Sequence, residues 1–220
     1  MSRKMMLSKA LILNPLVVLL LVGLLVAGCS PASRQSARPP TAAPAAAPLP
    51  PSVSTPAPRP LLVADFDGCT GTNNLGGAMG AAFSPPDSLK ESYPQEANRG
   101  CVARLEYKIT GWSAFWMKLQ GADLRPYSKL VFDVRGDPQP GSPWQMKLEL
   151  KRAGQVSIKY VSGIGADWKT MSVKLADFGS AGYGAPVSSW QGVEELVFTF
   201  EANKSGREGV VYLDHIAFER

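Results

Sequence analysis

The chain has 220 residues, with 23 Lys and Arg against 18 Asp and Glu, one His and three Cys, for a net charge of +5. Six basic residues (Arg3, Lys4, Lys9, Arg34, Arg38 and Arg59) and no acidic one precede residue 61, so the rest carries 17 basic against 18 acidic residues, a net −1. A near-neutral body has nothing to draw it to a phosphate backbone, which argues against a nucleic-acid partner, and one histidine argues against a zinc centre.

In chain order, Arg3, Lys4 and Lys9 form a positive start and Leu16 to Val26 an apolar run, the pattern of a secretory leader. It ends in Val26-Ala27-Gly28-Cys29, which resembles the lipobox of bacterial lipoproteins. The resemblance implies that residues 1–28 are removed and that Cys29 receives a diacylglycerol. The protein would then be anchored to a bacterial membrane at the cell envelope. Ser30, rather than Asp, resembles lipoproteins sorted to an outer membrane. The alternative is an uncleaved membrane helix over Ala10 to Ala27, whose 18 residues include Asn14 and Pro15 and are marginal for spanning. With Cys29 assigned to lipid, Cys69 and Cys101 remain; outside the cytoplasm such a pair is expected to form a disulfide, the alternative being two buried thiols.

Residues 29–60 follow as a linker. Positions 30 to 60 hold ten prolines, eight alanines and no acidic residue. Such a tract cannot bury a core and favours extended polyproline-like chain, with a reach on the order of 90 Å at ~3.1 Å per residue.

Residues 61–220 are long enough for one core and read as strands. Leu61 to Phe66, Val102 to Ile109, Ala114 to Gln120, Leu130 to Arg135 and Gln145 to Lys151 come first. Val156 to Val161, Thr170 to Leu175, Glu195 to Glu201 and Val210 to Phe218 follow. Turn residues separate them, among them Gly121, Gly136-Asp137-Pro138, Gly154 and Gly206. The pattern predicts an all-β sandwich or barrel, with at most a helical turn over Pro86 to Glu91. Alternation sets Phe115, Met117 and Leu119 against Trp116, Lys118 and Gln120. It sets Leu130, Phe132 and Val134 against Val131, Asp133 and Arg135, and Met146, Leu148 and Leu150 against Gln145, Lys147 and Glu149. The apolar sets are expected to meet in the core; alternation does not say which strands adjoin.

Four stretches in order carry a family resemblance: Ala64-Asp65-Phe66-Asp67-Gly68 with Asn73-Asn74-Leu75-Gly76-Gly77; Asp123 through Asp137; Trp168 through Phe178; and Tyr212-Leu213-Asp214-His215-Ile216-Ala217-Phe218. Together they resemble galactose-binding-like jelly-roll domains, above all family-11-type carbohydrate-binding modules, with complex I intermediate-associated protein 30 domains as a related match. The resemblance implies a jelly-roll β-sandwich, a structural calcium and a sugar site on the concave sheet. For calcium, Asp65 and Asp67 would share one side of an extended chain, and Asp214 is a carboxylate in an apolar strand; oxygen ligands suit the ion. The alternative is that these aspartates only make turns and backbone hydrogen bonds. For sugar, Trp116 stands on the polar side of its strand with Lys118. Arg135, Lys147 and Glu149 would bind hydroxyls if their strands adjoin it; the alternative is that Trp116 covers a sheet edge. Trp112, Trp144 and Trp190 could rim a cleft or cap the core. Asp214 and His215 are adjacent in one strand and point apart, so no catalytic triad is expected. The sequence thus reads as a lipid-anchored, non-catalytic carbohydrate-binding module, the alternative being a protein-interaction or assembly module on the same fold.

Overall fold

The computed structural model describes residues 59–220. The expected leader, the lipid site Cys29 and nearly all of the linker lie outside the described residues. Fourteen strands follow in order within them: β1 (Leu61–Ala64), β2 (Met79–Phe83), β3 (Ser88–Ser92), β4 (Gln95–Glu96), β5 (Gly100–Cys101), β6 (Ala103–Lys108), β7 (Trp112–Ala122), β8 (Lys129–Gly136), β9 (Gln145–Arg152), β10 (Gln155–Ser162), β11 (Lys169–Lys174), β12 (Gly179–Ser180), β13 (Val193–Glu201) and β14 (Glu208–Glu219). A single helical turn, α1 (Ala202–Ser205), joins the last two.

The strands form two large antiparallel sheets. One runs β11-β8-β14-β6-β3, with β1 also paired to β14; the other runs β12-β10-β9-β13-β7-β2. All nine expected strands are present. Two five-residue strands, β2 and β3, were not foreseen. In β2, Met79-Gly80-Ala81-Ala82-Phe83 has little apolar-polar contrast, so alternation cannot mark it. The helical turn expected over Pro86 to Glu91 is not formed; Ser88–Ser92 instead pairs with β6 from Ser88↔Lys108 to Ser92↔Arg104, because a partner strand supplies hydrogen bonds that local propensity cannot anticipate.

The core lies between the sheets, and the alternation assigned its faces correctly. Phe115, Phe132, Leu148 and their same-face neighbours in β7, β8 and β9 are fully buried. Phe132 of β8 meets Phe198 of β13 edge-on at 5.4 Å, and Tyr107 of β6 stacks on Phe200 of β13 at 4.5 Å. Both contacts cross from one sheet to the other. Cys69 and Cys101 form the expected disulfide, which ties the segment after β1 to β5. It holds the small β4–β5 hairpin against the outer face of the first sheet. There Glu96 pairs with Arg135 and accepts a hydrogen bond from Trp168 Nε1 at 3.1 Å.

Candidate functional site

The outer face of the second sheet carries a cleft of about 910 Å³. Strand register explains its shape. One row across the sheet reads Gly80, Trp116, Val197, Glu149, Ile158; the next reads Ala82, Ala114, Thr199, Lys147, Tyr160. The second row has short side chains at its β2, β7 and β13 positions. Trp116 stands on one side of it and Trp112, paired with Glu201, on the other. A row of small residues between two tryptophans makes a groove that runs across the strands.

Both tryptophans face away from the core, as the period of two requires. Trp112 is 45% exposed. Trp116 is half-buried because its ring lies over Gly80, where an added Cβ would sit 2.9 Å from Cζ2. Its Nε1 reaches the Ala81 carbonyl at 3.4 Å. Trp116 therefore covers the edge strand β2 and at the same time borders the cleft. Trp112 is placed by Asp87, which is buried just before β3. Its carboxylate accepts hydrogen bonds from Thr110 N (2.7 Å), Thr110 Oγ1 (2.8 Å), Gly111 N (2.9 Å) and Trp112 N (2.9 Å). The Thr110 N–H leads in holding this carboxyl below its ordinary range; burial opposes, and the other donors add to it.

The floor is polar and internally neutralised. Lys147 Nζ lies 2.7 Å from Glu201 Oε1 and 3.1 Å from Glu149 Oε1. Glu149 also accepts from Thr199 Oγ1 (3.0 Å) and Tyr183 OH (3.1 Å), and Glu201 accepts from Tyr160 OH (2.7 Å). Burial pulls the Lys147 ammonium down, but its hydrogen bond to Glu201 and the charge of Glu149 outweigh that and raise it above an ordinary lysine. Burial pushes Glu201 up, yet Lys147 and Tyr160 carry it below its ordinary value. Tyr160 is pushed up to about 12, by burial first and then by Glu201. Tyr183 stands on the loop after β12 between two left-handed glycines, Gly182 and Gly184 (φ 77° and 69°), and closes one side of the cleft.

Of the residues expected to bind sugar, Trp116, Lys147 and Glu149 line this cleft. Lys118 shares the face, 5.5 Å from the Trp116 ring and 3.6 Å from Glu195. Arg135 does not belong with them. It lies in β8 of the other sheet, over the Tyr212 ring at 3.6 Å and beneath the β4–β5 hairpin. Alternation put it correctly on a polar face but could not say which sheet that face belonged to. Trp112, one of the tryptophans expected to rim a cleft or cap the core, rims it; Tyr183, Glu201 and Arg207 complete it beyond expectation, with Tyr160 behind Glu201. Trp112 had a readable signal, since it is four residues before Trp116 and so shares its face. Tyr183 and Arg207 sit on loops and gave none.

The candidate calcium residues also converge. Asp65, Asp67 and Asp214 line a pocket of about 330 Å³ with Asp133, Asn98, Arg99 and His215. Asp65 and Asp67 do not meet through extended chain. Phe66 between them is left-handed (φ 57°), and Asp65 accepts hydrogen bonds from Asp67 N (3.2 Å) and Asn74 Nδ2 (3.0 Å). Arg99 Nη1 bridges Asp133 (3.0 Å) and Asp214 (2.9 Å). Burial pushes the Asp214 carboxyl up, and the Arg99 hydrogen bond only partly offsets it. Four carboxylates thus line the pocket with one guanidinium, which pairs with Asp133 and Asp214; oxygen donors of this kind are the ones calcium takes. Among the described residues no three His, Cys, Asp or Glu side chains are already grouped to hold a metal, so an ion would have to draw these aspartates together.

No protein-family model matches the sequence, and no curated protein matches it. Solved structures do. A family 11 carbohydrate-binding module of a cellulosomal cellulase of Clostridium thermocellum is 13% identical, with a TM-score of 0.59, covering 73% of this chain and 94% of that one. A family 11 module from the same organism, in complex with a β-1,3-1,4-mixed-linked tetrasaccharide, is 14% identical over 73% and 95% of the two chains, again at 0.59. An exo-β-agarase is 12% identical at 0.52, with 72% of this chain covering 25% of that one. At these identities the likeness establishes the fold, a jelly-roll β-sandwich similar to that of family 11 modules.

Proposed function

We propose that the domain binds carbohydrate in the cleft on β2, β7, β13 and β9, without catalysis. The observation that carries this is the placement of Trp112 and Trp116 on the solvent side of one strand, flanking a row of short side chains. Four residue steps along the strand separate them by about 13 Å, enough for the apolar faces of more than one sugar ring. Indole surfaces take a ring's C–H face, and the polar groups between and around them meet its hydroxyls. The similar module solved with a bound tetrasaccharide supports this reading. Against catalysis, Glu149 and Glu201 are both held by Lys147, so neither stands as the free, protonated general acid that a glycosidase needs.

The test is a broad glycan array probed with wild type, Trp112→Ala and Trp116→Ala. Wild type is expected to bind, Trp112→Ala to lose most of that binding, and its fold to be kept, because the ring lies on the solvent side of its strand, outside the core. A wild-type protein that binds no glycan overturns the proposal in favour of a protein partner on the same face. The lipobox supports a lipid anchor at Cys29 in the cell envelope, and the aspartate pocket supports calcium held by Asp65, Asp67 and Asp214. An unmodified Cys29 in the mass spectrum of the mature protein would refute the anchor.

A further inference from the structure

The charges that line the cleft are Lys147, Lys151 and Arg207 against Glu149, Glu195 and Glu201. The three carboxylates are all engaged. Lys147 holds Glu149 and Glu201, Lys151 lies 3.6 Å from Glu149 and 3.8 Å from Glu195, and Lys118 reaches Glu195 from the rim. Arg207 is different. It is exposed at the end of the cleft formed by Thr110, Gly111, Ala202 and Asn203, and it has no carboxylate within 4.0 Å among the described residues. Lys204 stands on the same side, 5.7 Å from the ring centre of Tyr160. The nearby carboxylate of Asp87 is already covered by four donors. Counting Lys118 and Lys204 with the lining, and Asp87 among the carboxylates because its four donors are neutral, the face carries five cations against four carboxylates, while residues 61–220 as a whole carry a net −1. The surplus is concentrated at the Arg207 end.

We infer that the ligand is an anionic glycan, a chain bearing uronate carboxylates or sulfate esters, with one such group against Arg207. The inference rests on the carbohydrate reading of the cleft. The two tryptophans take apolar ring faces, which a neutral glycan and an acidic glycan share. Arg207 supplies what only an acidic chain can use: a planar guanidinium donating paired hydrogen bonds to a carboxylate or sulfate. Because the floor carboxylates are neutralised by lysines, an incoming anion meets no unopposed negative charge on the floor itself.

Calorimetric titration of the full-length chain tests this, using cello-oligosaccharide, its C6-oxidised uronate form and its C6-sulfated form, beside an array of neutral, uronate-rich and sulfated glycans. The acidic glycans are expected to bind about tenfold or more tightly than neutral counterparts. Arg207→Gln should remove that advantage, raised salt should shrink it, and the melting temperature should not move. Lys204→Gln serves as a second variant, with a smaller loss expected. The uronate and sulfate arms identify which anionic group is read. Neutral glycans bound as tightly as acidic ones, or an acidic preference that survives Arg207→Gln, would overturn the inference while leaving carbohydrate binding intact. Binding of neither class would overturn the carbohydrate reading itself.

Discussion

Gly80 is the residue on which the Trp116 ring rests. Its backbone is ordinary, and what makes it glycine is the indole above it. In Gly80→Ala the new methyl group meets a ring that can tilt away. We expect a stability cost of about 1 kcal/mol or less and a several-fold loss of glycan affinity, read by melting and by titration. Trp116→Ala is the harsher change, since it also uncovers edge strand β2; roughly 1–2 kcal/mol is expected for that half-buried ring. Asp87 acts at the other wall. Its carboxyl is held low, so by linkage its contribution is present above the unfolded value near pH 4 and is lost as pH falls through the lower folded value. Asp87→Asn should therefore melt lower at pH 7 and bind glycan more weakly through a loosened Trp112. Its melting deficit should narrow below about pH 4. A deficit that stays constant with pH would mean the charge of Asp87 is not what matters.

Strands were the most legible level of this protein. Nine of them could be read because most alternate large apolar with polar side chains and the others, such as β1 and β14, are short apolar runs bounded by turn residues; the buried faces of β7, β8 and β9 followed directly. The strands that escaped did so for physical reasons. Small residues in β2 leave no contrast to read, and β3 follows Pro85-Pro86 and is fixed by its partner β6. Neighbour relations were invisible because a jelly roll sends consecutive strands to different sheets; hence Arg135 was grouped with Lys147 and Glu149, which face the opposite side. The disulfide was legible from cysteine number and compartment, but its work was not. It fastens the β4–β5 hairpin, from whose turn Arg99 reaches over Trp168 at 4.2 Å and into the aspartate pocket. Its 32-residue separation predicts a loss of about 3–4 kcal/mol for Cys101→Ser in the chain-entropy picture. That loss should be reproduced by reductant on wild type and absent on adding reductant to the variant.

For the whole molecule, the aspartate pocket brings together the segment after β1, the β4–β5 turn, β8 and β14 on the first sheet, away from the cleft on the second. A calcium ion bound only by the folded state would stabilise it by mass action. Chelator should lower the melting temperature of wild type, and Asp214→Asn should lower it too and remove the chelator effect. A wild type that melts the same with and without chelator would assign the pocket to Arg99 alone. The Lys147 network bears on a different quantity, the protons exchanged when the cleft fills. Lys147 is moved further from neutrality on the alkaline side, Glu201 further on the acidic side, and Tyr160 up to about 12. His215, the chain's single histidine, belongs to the other pocket. Filling the cleft at pH 7 should therefore neither take up nor release hydrogen ions through this floor. Heats of binding measured in phosphate and in Tris, whose ionisation enthalpies differ widely, should coincide. A systematic difference between the two buffers would reveal a proton moving with the ligand, and a floor that is remade on binding rather than one that waits already built.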